Sequence, residues 1–149
     1  MWSMTNLLQR ASEGLAFNFV TDRVTTKVSG RDTNGQYSLM TWVAAPRTGS
    51  PPHVHARYDE TFYVVEGRLE FVLGDESFTL EIGDFMRVPS GTRHAFRNNT
   101  DKPVEMLVGL IPGGMEELFY KYRTDKGEFQ LEEFVREARE LHATEYELP

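Results

Sequence analysis

PPHVHARYDE, residues 51–60, places two of the chain's four histidines, His53 and His55, one residue apart, and ends in Glu60. Two prolines lead into the histidines, and an apolar run, FYVV at 62–65, follows the glutamate. In an extended strand successive side chains point to opposite faces, so His53 and His55 share one. If that face is the inside of a barrel, two imidazoles converge on one point. Glu60 begins the next strand segment after the short irregular stretch ARYD, 56–59. It can return a carboxylate to the same place.

Outward from this stretch the chain reads as short strands. VTTKV (24–28) is β-branched, and QYSLMTWVAA (36–45) follows an Asn34-Gly35 turn signal and stops at Pro46. Residues 61–84 read as a meander punctuated by Glu66-Gly67, Gly74-Asp75 and Gly83-Asp84. FMRVP (85–89), HAFRN (94–98) and PVEMLVGLIP (103–112) complete the set. Closely spaced turn signals between short strands predict an all-β sandwich or barrel. Beyond residue 112 the spacing becomes helical, in GMEELFYKYR (114–123) and LEEFVREAREL (131–141). In the second, Leu131, Phe134, Val135, Ala138 and Leu141 share a face opposite a charged one. Such a stripe packs on the outside of the barrel or on a second subunit.

A fourth ligand must come from a distant segment, and the remaining histidines are His94 and His142. His94 lies in GDFMRVPSGTRHAFRN (83–98), where Pro89 and Gly91 shape a turn that delivers it to the start of a strand. His142 falls at the end of the charged C-terminal helix and reads as a surface or helix-end residue.

Together the two segments resemble the paired signature motifs of the cupin superfamily. The first is carried by His53, His55, Glu60 and Gly67, the second by Gly83, Pro89, Gly91, His94 and Asn98. One position departs: the glycine expected six residues before the first histidine is Arg47, with Gly49 nearby. The resemblance spans roughly residues 36–112. It implies a double-stranded β-helix (jelly-roll) barrel, a homodimer, and one divalent transition metal held by His53, His55, Glu60 and His94. Nitrogen and oxygen ligands suit Fe, Mn, Ni, Co or Zn, and sequence does not choose among them.

Strand parity places Phe62 with Glu60 and Phe96 with His94. Met40, Trp42, Phe71, Met86 and Met106 are further strand residues expected to face inward, around an apolar, aromatic-rich cavity. Each alone reads equally as ordinary core. IPGGMEELFY (111–120) looks like an element of small quercetin-dioxygenase-like cupins, in which a helix covers one end of the pocket. Met115, Leu118 and Phe119 would form that cover. A plain helix start after a Gly-Gly turn is the competing reading.

Three functions fit. The first is a metal-dependent oxygenase of quercetin-dioxygenase-like type, acting on a small aromatic or enol substrate with Glu60 as catalytic base. The second is a non-redox isomerase or cyclase of a polyketide-like or sugar-like molecule. The third is a non-catalytic small-molecule binder.

Composition narrows the field. The 149 residues fit one domain, with a barrel at about 17–112 and a helical segment at about 113–149. A net charge of −7 without a Lys/Arg run disfavours nucleic acid. The absence of cysteine removes thiolate ligands and cysteine nucleophiles and fits a cytoplasmic protein. The N-terminal MWSMTNLLQRA lacks a secretory-signal pattern, and no apolar stretch is long enough to span a bilayer.

Overall fold

The computed structural model describes residues 7–149; the first six residues of the N-terminal stretch read above lie outside the described region. Two antiparallel sheets make up the barrel. Strands β1 (Leu15–Phe19), β2 (Asp22–Val28), β3 (Ser38–Ala44), β5 (Asp59–Glu66), β8 (Phe85–Val88) and β10 (Val104–Ile111) form one. Their order is β1-β2-β3-β10-β5-β8. Strands β4 (His53–His55), β6 (Leu69–Leu73), β7 (Glu76–Leu80), β9 (His94–Arg97) and β11 (Thr144–Tyr146) form the other. There the order is β11-β4-β9-β6-β7. This is a double-stranded β-helix, as expected from the sequence.

Alternation decides which side chains enter the core. Along β3 every second residue is buried, namely Ser38, Met40, Trp42 and Ala44. Strand β10 lies between β3 and β5 and sets Met106 opposite Trp42 on one side and Val64 on the other. Phe17, Phe62, Leu69, Phe71 and Leu110 fill the space between the sheets. Full burial of each such side chain is worth about 1.5–3 kcal/mol.

Two helices follow the barrel, α1 (Glu116–Lys121) and α2 (Leu131–His142). The first starts after Gly113-Gly114, where the buried Glu116 carboxylate accepts the backbone N–H groups of Gly30 (2.5 Å) and Gly114 (2.7 Å). The second buries Phe134, Val135 and Ala138 against this same chain, with Phe134 meeting the rings of Phe19, Phe119, Tyr122, Phe129 and Tyr146. Its buried stripe is narrower than the sequence suggests, because Leu131 and Leu141 at its two ends are 44% and 61% exposed. Ala143 ends the helix in the left-handed region (φ 47°), and the chain re-enters the sheet as β11. Among the described residues no helix is long and apolar enough to cross a membrane.

Candidate metal centre

Strand β4 is short, bounded by Pro51-Pro52 before it and by a bend at Ala56-Arg57 after it. His53 pairs in register with His94 on β9, while β11 lies along the other edge of β4. Glu60 enters from β5, in the opposite sheet. The four ligand atoms of His53, His55, Glu60 and His94 lie within 4.8 Å of one another, and all four residues are buried. The sequence-derived ligand set is therefore brought together at one point between the sheets.

Each imidazole is fixed from behind. His53 Nδ1 donates to the Pro51 carbonyl (2.8 Å), and His94 Nδ1 donates to the Thr92 carbonyl (2.9 Å). His55 Nδ1 lies 2.8 Å from Thr144 Oγ1. Nδ1 protonation leaves each Nε2 lone pair for the centre. The motif residues around them serve this arrangement. Gly91 N–H donates to the His55 carbonyl (2.7 Å). The Asn98 side chain, fully buried, donates to the carbonyls of Ala44, Ala45 and Lys102 and accepts from Thr100.

The electrostatics match a cation site. Burial pushes the His53 imidazole down to about 3, helped by the neighbouring His94, so it is neutral at ordinary pH. Burial pushes Glu60 up, but the charge of the neighbouring His55 and the contact and charge of His94 outweigh it and hold the carboxyl below its usual range. For His94 burial acts downward, and its 3.3 Å contact with Glu60 Oε1 raises it overall. His55 Nε2 stands 3.3 Å from Glu60 Oε2 yet makes no hydrogen bond with any described group. A buried, unpartnered ring nitrogen is costly to leave so, and coordinating a metal removes the cost. Three imidazoles and one carboxylate suit a divalent transition metal, and the residues present fit such an ion.

A cavity of about 520 Å³ opens beside the centre. Of the four ligands, His53 and Glu60 line it. Trp42, Phe62, Phe96 and Phe119 line it too, joined by Phe19, Phe129, Phe134 and Tyr146. Met40, Phe71 and Met106 face inward but are packed in the core, and Met86 packs against that core; none of the four lines the cavity. Phe71 instead stacks beneath His94, with ring centroids 6.2 Å apart. Of the expected helical cover, Phe119 reaches the cavity, while Met115 and Leu118 are buried in the core. His142 stands at the end of α2 as expected, with Nδ1 2.8 Å from the Tyr58 hydroxyl.

Sequence reasoning missed Thr144 and Tyr146. Thr144 holds His55, and the Tyr146 ring stacks on His53 at 4.9 Å. Burial and the Glu60 charge push the Tyr146 phenol up. The sequence signal is weak, a β-branched Thr144 and an aromatic Tyr146 two positions apart after the helical stretch.

The fold and site define a double-stranded β-helix barrel with a buried three-histidine, one-carboxylate centre. Residues 40–109, which carry His53, His55, Glu60 and His94, match the family described as Cupin domain. Over 90 residues the chain is 31% identical to quercetin 2,3-dioxygenase of Bacillus subtilis, covering 60% of this chain and 27% of that protein. It is 42% identical over 87 residues to the polyketide synthase CurC of Streptomyces cyaneus, covering 58% and 55%. The chain spans roughly a quarter to three fifths of the curated relatives it matches. Among solved structures, a predicted oxalate decarboxylase of Thermotoga maritima superposes with a TM-score of 0.66 at 18% identity, covering 70% of this chain and 98% of that one.

Proposed function

We propose that this protein is a metal-dependent oxygenase of quercetin-dioxygenase-like type, acting on a small planar aromatic or enol substrate. The observation that supports it best is the aromatic cavity of about 520 Å³, which opens onto Glu60 and His53. A volume of this order suits a ligand of drug-like size, with few polar groups to fix its orientation. Trp42, Phe96 and Phe119 offer ring faces and edges to a planar molecule, each such contact contributing about 0.5–1.5 kcal/mol beyond its buried area. Their apolar surface also excludes water from the reacting end.

Glu60 is the residue placed to move a proton. It is ionised, buried and on the cavity wall, so it can accept the proton of a phenol or enol entering against it. A divalent metal held by His53, His55, Glu60 and His94 would supply Lewis acidity and, with a redox-active ion, a means of using dioxygen. The resemblance to quercetin 2,3-dioxygenase supports oxygen as co-substrate.

A non-redox reading, cyclisation or isomerisation of a polyketide-like molecule in the same cavity, is favoured by the 42% identity to polyketide synthase CurC. One experiment separates them. The protein is loaded anaerobically with Fe(II), Mn(II), Ni(II), Co(II) or Zn(II) and offered flavonols and polyketide-like enols with and without oxygen. Oxygen uptake matched to substrate loss supports the oxygenase. Turnover that continues without oxygen and with zinc replaces it by the second reading. Tight ligand binding without turnover would make the protein a binder.

A further inference from the structure

Strand β11 lies outside the segment that matches the cupin family, yet it touches two of the four ligands. Its register sets Thr144 opposite His55 and Tyr146 opposite His53. We propose that this C-terminal strand completes the metal centre, with Thr144 as the positioning residue for His55 and Tyr146 as the wall that fixes His53 and borders the substrate. This inference rests on the metal-dependent reading above.

The direction of the Thr144 contact can be worked out. Its single hydroxyl proton has two acceptors at hand, the His142 carbonyl at 3.1 Å and Met115 Sδ at 3.6 Å. With that proton given to the His142 carbonyl, a lone pair faces His55 Nδ1 at 2.8 Å and the ring donates. That fixes the tautomer, and it turns Nε2, which has no hydrogen-bond partner among the described residues, into the atom facing the centre. Thr144 is fully buried, so no water replaces it. Tyr146 acts on the other histidine by stacking and also lines the cavity.

The strand is fastened at both ends. Ala56 N–H donates to the Ala143 carbonyl (2.9 Å), and Glu147 N–H donates to the Pro52 carbonyl (2.8 Å). The Glu147 carboxylate takes both arms of Arg93, at 2.7 and 2.8 Å. Arg93 precedes the ligand His94, so one strand ties together the segments that carry three of the four ligands.

The test is metal affinity, measured by competition with a chromophoric chelator, together with the visible spectrum of the Co(II) form. Removing a partner that orients a metal-bound histidine lowers metal affinity about 10–100-fold. Thr144→Val keeps the shape and removes the acceptor, so it should lose affinity by that factor and change the Co(II) spectrum. Thr144→Ser should restore both. Tyr146→Phe should bind metal like wild type, whereas Tyr146→Ala should weaken it. Melting of the metal-free variants checks that each is folded. If folded Thr144→Val matches wild type in affinity and spectrum, this inference is overturned and the function reading stands. If wild type takes up no metal, both fall.

Discussion

His53 and His94 face each other as a register pair across β4 and β9, with ring centroids 4.2 Å apart. Two imidazoles so close are tolerable when they are not both charged, or when a cation sits between their lone pairs. His53→Ala or His94→Ala removes one ligand and opens the centre. We expect close to one metal per chain in the loaded parent and a loss to background in either variant, read by elemental analysis. Retention of stoichiometric metal in both variants would show that the ion sits elsewhere.

Glu60 joins the centre to the cavity. Glu60→Gln keeps the shape but cannot accept a proton. Proton transfer by a positioned side chain contributes about 100–10,000-fold to rate, so turnover should fall by at least about 100-fold. The same substitution weakens metal binding, so the comparison is made at saturating metal. A Gln variant with near-parental kcat would remove Glu60 from the proton-transfer role.

The metal-free centre should give stability a pH dependence of definite sign. The folded protein holds His53 at about 3, below its ordinary 6.5. Between those values the unfolded chain binds a proton that the folded one does not, so stability falls as pH drops, by up to about 1.4 kcal/mol per pH unit. His94 is raised by Glu60, so its contribution is complete below 6.5 and is lost as pH rises through its folded value. Glu60, held low, contributes above its ordinary 4.5 and is lost only in stronger acid. Together these put the stability maximum of the chelator-treated protein near pH 6.5. Thermal melts from pH 5 to 8.5 check it, and His53→Gln should flatten the acid limb.

The candidate ligand cluster was legible because its spacing is local: His53, His55 and Glu60 sit within eight residues, and His94 follows a turn built on Pro89 and Gly91. Strand parity also set Phe62 beside Glu60 and Phe96 beside His94, and both line the cavity. It did not give depth. Met40 and Trp42 share a face of β3, yet Trp42 borders the cavity while Met40 lies in the core. Parity says which side a side chain takes, not how far along the barrel it stands. Strand β11 was missed for another reason. Three residues carry no period, and pairing with β4, some ninety positions away, creates the strand.

Asp22 links the cavity wall to the fold. Its carboxylate accepts Trp42 Nε1–H (2.8 Å), Ala45 N–H (2.9 Å) and the Thr48 hydroxyl (3.2 Å), and it is buried. Asp22→Ala strands these donors, two of them on groups with no lone pair to turn elsewhere. A hydrogen bond to a charged group is worth about 1.5–3 kcal/mol, so urea unfolding should show a loss of about 2–3 kcal/mol. Asp22→Asn keeps one acceptor oxygen and should lose less. Equal losses for Ala and Asn would mean that the charge, rather than the acceptors, holds Trp42.

The departure at Arg47 gives the last test. The cupin pattern has glycine there, and Arg47 adopts the left-handed conformation (φ 61°) that glycine takes without strain. Arg47 also forks onto exposed Asp101, at 3.0 and 2.7 Å. Arg47→Gly relieves about 1–2 kcal/mol of backbone strain. It forfeits a surface pair worth about 0–1 kcal/mol and gives the unfolded chain more freedom. These offset, and we expect a change within about 1 kcal/mol. Gly49 is different. A Cβ there would lie 2.4 Å from the Phe96 carbonyl oxygen and 2.9 Å from Arg97 Cα, both backbone atoms that cannot swing aside. Gly49→Ala must lift the loop off β9, the strand that carries His94. Overpacking of this kind costs about 1–3 kcal/mol, and metal affinity should fall with it. Urea unfolding and metal titration of the two variants decide the matter. If Arg47→Gly proves the more damaging, the close approach at Gly49 is not what seats this loop.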